Sequence, residues 1–146
     1  MLNIKTATHE ECLDILSEPR LFNLLSINTG DTLDEFLKTT DVVFRLLVFG
    51  KYKLLFRIEC IGHGNYTFHL MCPAASIPQS RKMTVLAIYW AFHVYKGCIL
   101  ALYCTCPQGK MANLARRVGA TELKSKGGMA CFMVTPEYFK NSLLIG

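Results

Sequence analysis

Apolar and polar residues alternate along Leu2-Asn-Ile-Lys-Thr6, the two-residue period of a short strand. Thr8 then precedes His-Glu-Glu, with Glu11 three residues on. That spacing is a capping box and predicts a helix over 9–17, with Cys12, Leu13, Ile15 and Leu16 on one face. Pro19 limits its length. A second helix is expected over Leu21–Ser26. After the loop Asn28-Thr-Gly-Asp31, Thr32 and Glu35 form another capping box, for a short helix to about Lys38. The stretches Asp41–Phe49, Tyr52–Cys60 and Tyr66–Cys72 are rich in aromatic and β-branched residues. Gly50-Lys51 and Gly62-His-Gly-Asn65 separate them as turns, so they read as an antiparallel meander.

Residues 73–80 hold two prolines and read as a loop. The next stretch, 81–96, is apolar almost all round, through Val85, Leu86, Ile88, Tyr89, Trp90, Phe92, Val94 and Tyr95. A helix of that kind is covered on more than one side, by its own protein, a partner protein or a second copy of the chain. Cys98–Cys104 is a short continuous apolar run and reads as a buried strand. Pro107 opens a helix to about Val118, and Gly119 stops it. Thr121–Lys124 and Met129–Val134 flank Gly127-Gly128 as a hairpin, and Pro136–Leu144 reads as a last short helix. The order of elements predicts an α+β layer structure with a mostly antiparallel sheet. No repeat or linker divides residues 1–146, so one domain is expected.

Charge changes the picture in one respect. The chain carries 16 Lys and Arg against 11 Asp and Glu, but the first 78 residues have a net charge of −2 and the rest +7. The second part should attract phosphates: a nucleotide-bearing cofactor, nucleic acid or an acidic partner. The basic set Lys110, Arg116, Arg117, Lys124 and Lys126 has no interleaved aromatic residues, so nucleic acid rests on charge alone. Seven cysteines lie mostly within apolar runs, and residues 1–20 lack the apolar core of a signal peptide. Reduced thiols in a bacterial cytoplasm are expected. Cys104-Thr-Cys106 is the closest pair, too close for the usual zinc spacing and without further ligands nearby, so no metal is expected. Residues 83–104 approach the length of a membrane span, but Lys96-Gly97 interrupts them, and a buried helix followed by a strand is expected instead.

The text Ile77-Pro-Gln-Ser-Arg-Lys-Met-Thr84 ahead of a long helix, and Pro107-Gln-Gly-Lys-Met-Ala-Asn-Leu-Ala-Arg-Arg-Val-Gly-Ala120 after the next strand, resembles the GNAT-type N-acyltransferases. Divergent GNAT-like proteins of tailed bacteriophages are most similar, including a class carried in virions. The resemblance implies a GNAT-like fold, a mostly antiparallel mixed sheet with helices on both faces, and acetyl-CoA as cofactor. In the family, backbone N–H groups and a helix dipole before the long helix receive the coenzyme A pyrophosphate. Gln79, Ser80, Arg81, Lys82, Met83 and Thr84 stand in that window, with Lys82 and Thr84 at the two glycine positions. Gln108 stands where the family often has Asn, and Ala115 where it often has the tyrosine that protonates the leaving thiolate. Splaying of the two central strands admits the pantetheine arm in the family.

An acyltransferase also needs a base to deprotonate an amine. His69 is the best placed candidate and Glu59, on the neighbouring strand, the second. Two readings follow. One is a GNAT-like phage protein with weakened or lost activity, acting through protein contacts as an accessory, assembly or virion component. The other is an active acetyl-CoA-dependent N-acetyltransferase modifying a protein or small-molecule amine.

Overall fold

Thr8 closes its capping box as the sequence predicts. Its Oγ1 accepts from the Glu11 N–H at 3.1 Å, and its own N–H donates to Glu11 Oε1 at 3.0 Å. Lys5 meets the other carboxylate oxygen at 3.0 Å. The Thr8 N–H and Lys5 together hold the Glu11 carboxyl down at about 2. In the computed structural model, which describes residues 2–21, 42–95 and 97–137, this box starts helix α1 (His9–Leu16), directly after strand β1 (Leu2–Thr6). Residues 19–21 are helical; the rest of the expected 21–26 helix and the Thr32-capped helix lie outside the described residues.

The meander follows as β2 (Val42–Phe49), β3 (Tyr52–Gly62) and β4 (Asn65–Met71). A 3₁₀ helix over Ala74–Gln79 runs directly into α2 (Ser80–Val94). Then come β5 (Ala101–Pro107), α3 (Lys110–Arg117), β6 (Thr121–Lys126) and β7 (Met129–Val134). The strands form one mixed seven-stranded sheet in the order β1-β2-β3-β4-β5-β7-β6. The β1–β2, β2–β3, β5–β7 and β6–β7 ladders are antiparallel, and β4–β5 is parallel. The mixed sheet with helices is the architecture expected.

Three boundaries differ from expectation. The expected loop at 73–80 is helical from Ala74 on. Strand β5 starts at Ala101 rather than Cys98, because the Leu100 and Ala101 N–H groups both bond Gly64 O and set the start of the parallel ladder. Pro107 ends β5 opposite Met129 instead of opening a helix, so α3 starts three residues later. Only residues 136 and 137 of the expected final helix are described, and they are helical. No helix among the described residues is long and apolar enough to cross a membrane.

The described residues group into two compact units, with boundaries inside β3, β4 and α2. In the first (1–59 and 69–83), Cys12, Ile15, Leu16 and Leu21 pack on Leu46, Leu55 and Met71. In the second (60–68 and 84–146), Ala112 of α3 packs on Cys106, Ala130 and Phe132. Gly64 sits in the turn between β3 and β4 at φ +81°, and a Cβ there would lie 2.6 Å from Leu100 Cγ.

Two substitutions measure these local constraints by urea unfolding. Thr8→Ala removes one cap and should cost about 1 kcal/mol. Gly64→Ala meets both an unfavourable φ and Leu100, and should cost about 2 kcal/mol.

Candidate functional site

The segment joining β4 to α2 is held from within. Ser76 donates its N–H to Pro73 O at 2.9 Å, and the Ser80 N–H bonds Ile77 O, so these two donors serve the segment's own helical turns. At its start the Ala74 N–H donates to Glu18 Oε2 at 3.2 Å. Arg20 reaches both Glu18 Oε1, at 3.3 Å, and the Cys72 carbonyl. Ser76, itself buried, accepts the Lys53 N–H on Oγ at 2.9 Å. A cleft of ≈ 180 Å³ beside this start is lined by Asp14, Glu18, Lys51, Lys53 and Ser76 among others.

The six residues expected to receive a pyrophosphate are divided by this geometry. Gln79 ends the 3₁₀ helix and Ser80 begins α2. Arg81 and Lys82 are exposed, and the Lys82 ammonium lies 4.5 Å from the Phe49 ring centroid. Met83 is 0% exposed and Thr84 2%, and the Thr84 hydroxyl has no hydrogen-bond partner among the described residues. A pyrophosphate needs free N–H donors and close backbone approach. The window holds no glycine, its Ser80 N–H is already bonded to Ile77 O, and Met83 and Thr84 are buried, so it offers little close backbone approach.

The two base candidates belong to the first unit, with one guanidinium between them in charge terms. Arg57 of β3, only 7% exposed, donates from Nη2 to Glu59 Oε2 at 2.8 Å. Glu59 is therefore an ion-pair partner. His69, on β4, is pushed down to about 4, first by burial and then by the positive charge of Arg57. It is a neutral imidazole at pH 7 and a weak base. Arg57 was missed by sequence reasoning; its signal is a lone charge inside Leu54-Leu-Phe-Arg-Ile58.

In the second unit β4 pairs with β5 in parallel over Asn65–Thr67 and Ala101–Tyr103. Gln108 is exposed and engaged by Arg116, which donates to its Oε1 at 3.3 Å. Arg116 also donates to Asn113 Oδ1 at 3.0 Å and to both Glu122 carboxylate oxygens at 2.9 Å. Ala115 packs against the core beneath α3. Gly119, at φ +90°, closes α3 as expected, with the Ala120 N–H on Ala115 O. No group of three or more metal-ligating side chains occurs among the described residues.

The depressed histidine has a consequence for stability. Its folded value lies below the unfolded one, so folding favours the neutral form. The stability this contributes is complete above about pH 6.5 and is lost as pH falls toward 4. Urea titrations between pH 7 and 4 should show a loss of up to about 3 kcal/mol that His69→Gln removes; an unchanged slope in the variant would assign the acid sensitivity elsewhere.

No protein-family model matches the chain, and no curated protein matches it in sequence. Solved structures do match it. An uncharacterized protein from Bacillus halodurans superposes with a TM-score of 0.75 at 9% identity, covering 97% of this chain and 87% of that one. Spermidine N-acetyltransferase from Vibrio cholerae, solved in complex with CoA and spermine, gives 0.72 at 12% identity, covering 96% and 98%. The Campylobacter jejuni N-acetyltransferase PseH, in complex with acetyl coenzyme A, gives 0.66 at 10% identity, covering 93% and 99%. At such identities the likeness is one of architecture, and the mixed seven-stranded sheet with its helices is the GNAT acyl-CoA N-acyltransferase fold.

Proposed function

We propose that this protein acts through contacts with other proteins, on a GNAT scaffold whose acyl-CoA site is weakened or lost. The observation that carries this reading is the closed segment between β4 and α2. Glu18 holds the Ala74 N–H, the Ser76 and Ser80 N–H groups bond within the segment, and the positions where the family has glycine carry Lys82 and Thr84. Ala115 at the family's tyrosine position agrees with it. The resemblance to phage GNAT-like proteins gives the setting: an accessory, assembly or virion component of a bacteriophage, made in the cytoplasm of a bacterial host. The inner face of α2 is covered by its own protein, through Met83, Ala87, Ile88 and Ala91. That leaves Tyr89, His93 and Val94 as the exposed part of the apolar helix for a partner or a second copy.

The competing reading is an active N-acetyltransferase. The net charge of +7 on residues 79–146 favours it, because a nucleotide-bearing cofactor carries phosphates. In that reading neutral His69 accepts the amine proton, and Arg81 and Lys82 meet phosphate as cations.

Isothermal titration of acetyl-CoA and free CoA, at low and moderate salt, separates the two. The proposal expects no heat, or weak binding that disappears with added salt as exposed charge attraction does. Micromolar binding that survives salt and weakens about tenfold in Lys82→Ala would overturn it in favour of the enzyme.

A further inference from the structure

We propose that the cleft lined by α1, the β2–β3 turn and the 3₁₀ helix binds a small amino dicarboxylate, of the glutamate or aspartate class. All of its lining residues belong to the first unit. Asp14 of α1 and Glu18 just after it supply acidic groups, and Lys51 of the turn and Lys53 of β3 supply basic ones. Ser76 lines it from the 3₁₀ helix. The volume of ≈ 180 Å³ is that of about six waters at roughly 30 Å³ each. Sites for drug-sized ligands start at about 300 Å³. The cleft therefore suits a metabolite of a few carbon atoms and is too small for a nucleotide.

The charges around the cleft do not cancel within the protein. Glu18 is already engaged, with Arg20 on Oε1 and the Ala74 N–H on Oε2. Asp14, Lys51 and Lys53 form no ion pair among the described residues, with one another or elsewhere. The Lys51 ammonium lies 5.4 Å from the Tyr52 ring centroid, a contact that steadies it without neutralising it. Since Glu18 and Arg20 offset each other, the lining is left with one carboxylate and two ammonium groups to satisfy. The complementary ligand carries one ammonium and two anionic groups.

Ser76 makes one of those anionic groups a carboxylate. Its side chain is 98% buried, being 2% exposed, and its Oγ accepts the Lys53 N–H at 2.9 Å. That bond occupies a lone pair and leaves the hydroxyl proton, which has no acceptor among the described residues. A buried hydroxyl donor on a cleft shared with the Lys53 ammonium is a carboxylate site. Lys51 receives the second carboxylate and Asp14 the ammonium, and Ile15 and Ala75 meet the short carbon chain. Two lysines are two separate point charges, so two carboxylates match them better than one compact dianion. The site does not depend on the fate of the acyl-CoA site, because none of its lining residues stands within 79–84 or at 108.

The test titrates the full chain with sodium L-glutamate at constant ionic strength, read by proton–nitrogen correlation spectra. Glutarate, which lacks the ammonium, and γ-aminobutyrate, which lacks one carboxylate, are titrated alongside. Glutamate should saturate with a Kd on the order of 1 mM, as fits a small ligand in an open cleft, and shift the Ile15, Lys53 and Ser76 amides most. Each control should bind about tenfold more weakly. Asp14→Asn should weaken glutamate about tenfold and leave glutarate no weaker, whereas Lys53→Gln should weaken both. Both substitutions are at exposed side chains and keep the fold, which urea unfolding checks. The proposal is overturned by no saturation up to about 10 mM glutamate, by equal binding of glutamate and the two controls, or by shifts centred away from the cleft. The native chain alone reads each of these outcomes.

Discussion

The Ala74 N–H on the Glu18 carboxylate ties the start of the segment after β4 to the stretch that follows α1. It joins residues 56 positions apart in sequence. Arg20 strengthens it by bonding the same carboxylate and the Cys72 carbonyl. The chain leaving β4 is thereby drawn into a helical turn at once, and that turn continues as 3₁₀ and then α-helix to Val94. A helix start needs an acceptor for its first donors. Here the acceptor is a side chain of the same molecule, Glu18.

The same segment is fastened from its other side. The Lys53 N–H donates to the buried Ser76 hydroxyl, which ties the 3₁₀ helix to the start of β3. A glycine-rich loop could not be held so tightly, since its entropy in the unfolded chain is larger. Arg57 adds a second demand on this unit. A guanidinium almost wholly removed from water requires a carboxylate, and Glu59 supplies it two residues along the strand. Glu59 is thus held by a structural need, and His69 is kept neutral by the same positive charge.

The second unit builds its packing on a different plan. Helix α3 lays Ala112 and Ala115 over β5 and β7 and turns its basic residues outward. Arg116 alone among them is drawn into a network, reaching across to Glu122 on β6. That bidentate pair is exposed and contributes little to stability by itself. Its effect is positional: it keeps a cation above the Phe132 ring.

Features determined by neighbours in sequence were legible before the fold was known. The Thr8–Glu11 box, the Gly119 helix stop and the Gly127-Gly128 hairpin each depend on a few adjacent residues, and each stands where the chain predicts it. The strand–helix order and the GNAT-like architecture follow from periodicity and from the text of residues 77–84 and 107–120. The state of residues 73–80 was not legible. Two prolines and small residues read as a loop; in the fold it is helical, and Glu18, Arg20 and Lys53, from distant parts of the chain, bond to it or to the residue before it. The start of β5 was likewise decided by the Gly64 carbonyl, and the ionisation of His69 by burial beside Arg57. Local hydrogen bonds and φ preferences are written in adjacent residues; donors satisfied across tens of positions, and charges removed from water, exist only once the chain has folded.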